Sequence, residues 1–329
     1  MPNSLLPIEI LDFILQNLIS DYTRLLDRHQ LYPRWYLVPL LRVCKIWHLV
    51  SERHLYRSIS IGNPFRHRPP GLRNSPALPT PETRDPSLIT DELVRTLKAN
   101  SRLATLIEEL QIRSRTDVLS ETHTQLVDIC PNLRHVDIQF VHSDTLYKAL
   151  KKKPLVSIRI MLQGFGDSMP IFDLMQCWPQ IQKITVLGQP SIRLIGETDP
   201  QTPGVLNCCP ELREIVLDGG WPRERDFESL RLMCSVVTKF NVWVDCSDTE
   251  AVDALCGCLR AWSPTLEWLS VHVVVTPHPE SSYRPLLEAL SSLSSLQELS
   301  VTFDLDVNTV SSLPVRNRPQ VYLFLYYFI

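Results

Sequence analysis

The stretch Cys209-Pro210-Glu211-Leu212-Arg213-Glu214-Ile215-Val216-Leu217 decides how this chain folds, because it places Leu212, Ile215 and Leu217 in the frame apolar-x-x-apolar-x-apolar. The last two are spaced by two, the side-chain period of a strand that buries one face. The proline ahead of the frame stops a helix and biases the residue before it toward extended backbone. The same phrase returns as Cys130-Pro131-Asn132-Leu133, Trp178-Pro179-Gln180-Ile181 and Ser263-Pro264-Thr265-Leu266.

The frame occurs eight times: Ile107/Leu110/Ile112, Leu133/Val136/Ile138, Leu155/Ile158/Ile160, Ile181/Ile184/Val186, Leu212/Ile215/Leu217, Val237/Phe240/Val242, Leu266/Leu269/Val271 and Leu296/Leu299/Val301, with middle positions 22 to 31 residues apart. One strand and one helix per period cannot bury their own apolar faces, so such units stack. Amphipathic segments such as Leu146 to Leu150 and Val252 to Leu255 supply the helices, and Thr90 or Asp91 is placed to cap one carrying Leu93, Val94 and Leu97. Ile59 and Ile61 offer an earlier strand, which would make the proline-rich stretch after them an insertion in the first repeat. Frame and period resemble leucine-rich repeats, and the Cys-Pro phrases resemble the cysteine-containing repeats of F-box proteins. A regular Asn or Cys after each frame is lacking, so an uneven array is expected. The predicted fold class is α/β: a short all-helical module, then a leucine-rich-repeat solenoid over 89–314, with a curved parallel β-sheet and helices on its convex side.

The N-terminal sixth is organised differently. It opens Leu6-Pro7-Ile8-Glu9-Ile10-Leu11, and Ile10, Leu11, Ile14, Leu15 and Leu18 recur at helix spacing. A second apolar run, Leu40-Leu41-Arg42-Val43-Cys44-Lys45-Ile46-Trp47, leads into Leu55-Tyr56-Arg57. A segment of roughly 45 residues is too short to bury these groups by itself. The Leu-Pro-x-Glu-Ile-Leu start, the Val-Cys-Lys-x-Trp centre and the Leu-Tyr-Arg close resemble an F-box, with a spacer from Ile19 to Pro39 longer than is usual in that family. The resemblance implies that 1–58 docks a Skp-type adaptor, and through it a cullin, by way of Leu6, Pro7, Ile10, Ile14, Val43 and Trp47. It also implies that the repeats capture a protein substrate for ubiquitin transfer carried out by the partners. The alternative reading is a repeat scaffold whose N-terminal helices only cap the array.

Composition excludes several classes. A net charge near -3 gives no pull toward nucleic acid or an anionic membrane, and no run approaches the length of a membrane helix. Nine cysteines without a Cys-x-x-Cys pair, and no basic-then-apolar leader, favour buried structural thiols in a reducing cytoplasmic or nuclear setting. Ten glycines against 26 prolines argue against phosphate-binding loops, and no nucleophile-elbow, Walker or zinc-protease motif is present, so neither catalysis nor a cofactor is expected. The stretch 62–88 is proline-rich with interleaved arginines and reads as a flexible excursion. The run from Val321 to Ile329, within 315–329, has no charge or proline to guard it. It reads either as a final buried strand or, by preference, as a segment foreign to the array.

Function in such an array is expected on the open sheet face, where the x positions of each frame point. The middle strands carry Arg134, Arg159, Lys183, Arg213 and Lys239 there, between ends marked by Glu108, Glu109, Glu267 and Glu298. A basic centre suits an acidic or phosphorylated segment, whereas Glu214, between Lys183 and Lys239, argues for a self-neutralised ladder. Trp268 is the aromatic anchor candidate on this face.

Overall fold

The computed structural model describes residues 7–25, 35–62, 86–113, 121–139, 144–161, 171–188, 206–218, 222–274, 284–303 and 321–325. The chain divides into two compact units, 1–149 and 150–329.

The first unit begins with α1 (Ile8–Leu25), a 3-10 helix (Trp35–Arg42) and α2 (Lys45–Arg57). Leu11, Leu15, Leu37 and Val50 form their shared core, flanked by Ile19, Leu40, Ile46 and Trp47. His54 Nε2 lies 2.8 Å from Asp12 Oδ1, tying α2 to α1. The chain passes without a linker from α2 into β1 (Ser58–Gly62), so Ile59 and Ile61 do supply an early strand. After α3 (Pro86–Ala99) and α4 (Ser101–Thr105) come β2 (Glu109–Arg113), α5 (Glu121–Ile129) and β3 (His135–Gln139). The three strands pair in parallel in chain order, with Ile61 opposite Ile112 and Ile112 opposite Ile138. Glu52, 8% exposed, accepts from Arg102 Nη2 at 2.7 Å, which fixes α2 to α4. The unit boundary falls at the end of α6 (Asp144–Leu150).

The helix expected to be capped at Thr90 or Asp91 starts earlier, at Pro86, and Thr90 is a buried residue inside it. Proline is tolerated in a first turn because the N–H it lacks has no partner there. The rest of the proline-rich excursion, from 63 to 85, lies outside the described residues.

The second unit contains β4 (Ser157–Met161), α7 (Ile171–Met175), β5 (Lys183–Leu187), β6 (Glu214–Asp218), α8 (Glu224–Met233) and β7 (Lys239–Asp245). It continues through α9 (Thr249–Trp262), β8 (Trp268–Val274), α10 (Arg284–Ser291) and β9 (Glu298–Phe303) to β10 (Val321–Leu325). Its strands also pair in parallel and in chain order. The α/β leucine-rich-repeat arrangement is therefore what each unit has. Every frame position except the half-buried Leu296 is at most 4% exposed. The apolar tail departs from the preferred reading: over Val321–Leu325 it is a strand on the edge of β9, with Val321 opposite Leu299. Its β-prone composition pairs with the open hydrogen-bonding edge that β9 presents. Residues 326–329 lie outside the described residues.

Consecutive repeats are tied by tryptophans at the ends of helices. Trp178 and Trp262 are fully buried, and their indole Nε1 groups donate to Leu150 O at 3.0 Å and Cys234 O at 2.9 Å. Each bond satisfies a carbonyl that would otherwise be left unpaired at a helix end. Cysteines fill much of the same layer: Cys234 Sγ donates to Leu230 O and Cys258 Sγ to Phe227 O, and burial pushes the Cys258 thiol up to about 12. Such thiols are packing groups, in line with the sequence reading, although Cys44 and Cys177 are exposed.

Asp226 is the strained member of this core. It is 4% exposed, accepts from Arg223 N at 2.8 Å at the start of α8, and has a second oxygen that is buried without a partner. Desolvation, only partly opposed by that hydrogen bond and by Arg223, lifts its pKa from 3.8 to about 6. The sign follows from proton uptake: between pH 4 and 6 the folded state holds a proton that the unfolded chain has released, so stability falls as pH rises through this window. The loss totals roughly 3 kcal/mol above pH 6. Replacing Asp226 by Asn, which keeps the acceptor and removes the charge, is expected to raise the urea midpoint at pH 7.5 and to flatten the pH 4–6 slope. An unchanged slope would show that Asp226 is not its source.

Candidate functional site

Two surfaces stand out, one in each unit. The first is on the N-terminal helices. The five apolar residues expected on one face of α1 divide between two: Leu11 and Leu15 are 2% and 1% exposed in the helical core, whereas Ile10 and Ile14 are 44% exposed and Leu18 is 47% exposed. Positions 10, 14 and 18 are four apart and make a second apolar stripe along the helix. Phe13 at 65% extends it, and Val43 and Leu49 on the adjoining helices are 59% and 54% exposed. All but one of the large, exposed hydrophobic residues among those described belong to this helical cluster, the exception being Leu206. Scattered exposed leucines need no explanation, but a concentration on one small module marks an interaction site.

Of the residues singled out in the sequence, Pro7, Ile10, Ile14 and Val43 are thus exposed on this cluster. Trp47 is half-buried against its core, and Leu6 lies outside the described residues, as does 26–34 of the long spacer. Phe13 and Leu49 were missed, because the motif does not include them and helical periodicity alone cannot say which of two apolar stripes will be covered.

The second surface is the open face of the second unit. Strand register sorts the x positions into rows. One row runs Ser157, Lys183, Glu214, Lys239, Trp268, Glu298, and the next Arg159, Thr185, Val216, Asn241, Ser270, Ser300. The expected basic strip therefore does not form a single row. Lys183 Nζ is 2.6 Å from Glu214 Oε1. Arg213 comes just before β6 and donates through Nη1 to the carbonyl oxygens of Pro210, Leu212 and Val236 at 3.0 to 3.4 Å. Two of the cations are thus engaged within the chain, because a guanidinium next to three turn carbonyls is better satisfied there than in solvent. Lys239 is exposed, and Trp268 is half-buried with Lys239 and Glu298 as its neighbours in the row. Arg134 belongs to the first unit and is exposed just ahead of β3.

The sequence reading stopped at the last frame position and so overlooked the residue after it. β7 and β8 each run seven residues, two longer than β6. Trp243 and His272 sit opposite each other in register, their rings stacked at 4.9 Å and 19°. Trp243 Nε1 donates to Asp218 Oδ1 at 2.7 Å. The signal was legible: alternation continues through Phe240-Asn241-Val242-Trp243-Val244 and predicts a longer strand.

Small-molecule chemistry finds less support. A shallow depression of about 330 Å³ between α3 and α5 is lined by Asp91, Val94, Lys98 and Thr122, but Thr122 already donates to Asp91 and Lys98 to Gln125. Among the described residues no group of three or more His, Cys, Asp or Glu is arranged to hold a metal, and no helix is long and apolar enough to cross a membrane.

No protein-family model matches the chain, and no curated protein matches it. Among solved structures, the crystal structure of the TLR13-ssRNA13 complex is similar at 15% identity and a TM-score of 0.37, over 70% of this chain and 34% of that one. This chain spans about a third of that chain's length.

Proposed function

We propose that this chain is a non-catalytic substrate-recognition subunit of a Skp-cullin-F-box type ubiquitin ligase, whose N-terminal helices dock a Skp-type adaptor while the repeats hold a protein substrate. The observation that carries the reading is the doubled apolar surface of α1. One stripe, Leu11 and Leu15, closes the intramolecular core, and the other, Ile10, Ile14 and Leu18, is left to water. Keeping such side chains exposed forgoes roughly 1.5–3 kcal/mol of burial for each, which a partner surface would recover. The motif Leu-Pro-x-Glu-Ile-Leu supplies the identity of that partner, and the parallel sheet supplies a broad face for a protein ligand.

A second reading, a leucine-rich-repeat interaction scaffold in which these helices only cap the array, draws on the direct passage of α2 into β1 and on the Glu52 to Arg102 bond. Co-expression with a Skp-type adaptor separates the two. The docking reading expects a stoichiometric complex that survives size exclusion, and the chain in isolation to self-associate or bind apolar dyes. A folded, monodisperse chain that leaves the adaptor unbound would establish the scaffold reading.

A further inference from the structure

The row that Trp243 and His272 occupy carries an imbalance. Asp218 accepts from the Trp243 indole with one oxygen, yet among the described residues no lysine or arginine forms an ion pair with it. Two residues before Trp243, on the same face, Asn241 has a buried side-chain oxygen with no hydrogen-bond donor. Its neighbour across the strand, Ser270, is 5% exposed, and that hydroxyl lies 3.4 Å from His272 Nε2. Burial lowers the pKa of His272 against the pull of Asp218, so the imidazole supplies no positive charge near neutral pH. Lys239, four residues before Trp243, is about 13 Å away along β7. An unmet acceptor, a carboxylate without a cation and a fixed aromatic ring thus meet on one patch of open sheet. A buried acceptor without a donor needs an explanation, and completion by a ligand is one.

We propose that the open face of β6, β7 and β8 receives an arginine side chain of the partner protein, its guanidinium lying against Trp243 and donating to Asp218 and Asn241. This rests on the reading of the sheet as the substrate-holding surface. Guanidinium fits on three counts: it is cationic and balances Asp218, it stacks on indole, and its donors point outward in one plane and can serve two acceptors together. Asp218 and Asn241 are on adjacent strands, two residues out of step, which sets their backbones about 8 Å apart and their side chains around a common space. An ammonium offers no flat face and is more strongly hydrated. A phosphorylated or acidic segment would be repelled by Asp218 and would leave the Asn241 oxygen unpaired. An apolar side chain would leave it unpaired too, at a desolvation cost it could not recover.

The test uses the full chain labelled with 15N at tryptophan, in which the indole N–H of Trp243 is assigned by its loss in Trp243→Phe. N-acetyl-arginine methylamide is titrated, followed by the matching lysine and glutamate compounds and by phosphoserine. The arginine compound is expected to move the Trp243 signal along a saturable millimolar curve. Asp218→Asn, which retains an acceptor for the indole, and Asn241→Ala should each weaken the response by about fivefold. Unmoved indole signals of Trp178 and Trp262 certify that the variants are folded. A Trp243 signal that does not respond to arginine, responds equally to lysine, responds instead to glutamate or phosphoserine, or is indifferent to both variants overturns the proposal. Adaptor binding is read separately. A chain that binds the adaptor but gives no arginine response loses only this inference, and one that responds at Trp243 but leaves the adaptor unbound loses only the ligase reading.

Discussion

Replacing Trp262 by alanine is expected to lower the unfolding free energy of the second unit by about 3–5 kcal/mol, the largest stability loss of any single change considered. Trp262 closes α9, is fully buried, meets Phe240 edge-on with ring centroids 5.2 Å apart, and holds Cys234 O at 2.9 Å. Truncation opens a cavity beneath β7 and strands a carbonyl at the end of α8, and these two losses add. Trp262→Phe separates them, since it keeps most of the volume and removes only the hydrogen bond, for an expected loss of about 1–2 kcal/mol. Urea unfolding followed by circular dichroism, with hydrogen exchange on α9 and β7, measures both. An alanine variant within about 1 kcal/mol of the parent would mean that the repeats are not locked at this point.

The largest expected effect on binding is at the N-terminal helices. Ile14→Glu combined with Val43→Glu should reduce affinity for a Skp-type adaptor at least about 100-fold, because two carboxylates would be carried unpaired into an apolar interface. Both side chains are substantially exposed in the free chain, at 44% and 59%, so the change should leave its thermal unfolding nearly unaltered. Leu11→Glu is the contrasting variant: at 2% exposure it should unfold the helical cluster itself. Calorimetric titration with the purified adaptor gives the affinity. Retained binding by the folded double variant would place the docking surface elsewhere and remove the main support for the ligase reading.

What was legible in advance was whatever a local pattern encodes. The eight frames predicted eight strands with their buried positions, because an apolar alternation of period two can be satisfied only by a sheet with one covered face. The prolines marked the helix-to-strand turns, since a missing N–H and a restricted preceding residue act within one or two positions. The repeat period determined that strands would pair in parallel with their neighbours. Side-chain engagement was not legible in this way. Arg213 reads as a cation on the open face, yet three carbonyls brought together by the turn before β6 hold it, and two of them lie outside its own dipeptide neighbourhood.

The sequence by itself determined the repeat, the α/β class, the buried set and the presence of a separate helical module at the N-terminus. The tertiary structure alone decided which stripe of α1 faces the core, that Val321–Leu325 pairs with β9, and that Trp243, His272, Asp218 and Asn241 share one patch. The physical reason is one of range. Burial periodicity and turn chemistry act between residues a few positions apart and are written in the local sequence. The partner of a charge, of an indole N–H or of a second apolar stripe comes from a strand or helix some 25 or more residues away, as with Trp243 and Asp218, and its identity depends on the register that folding itself establishes.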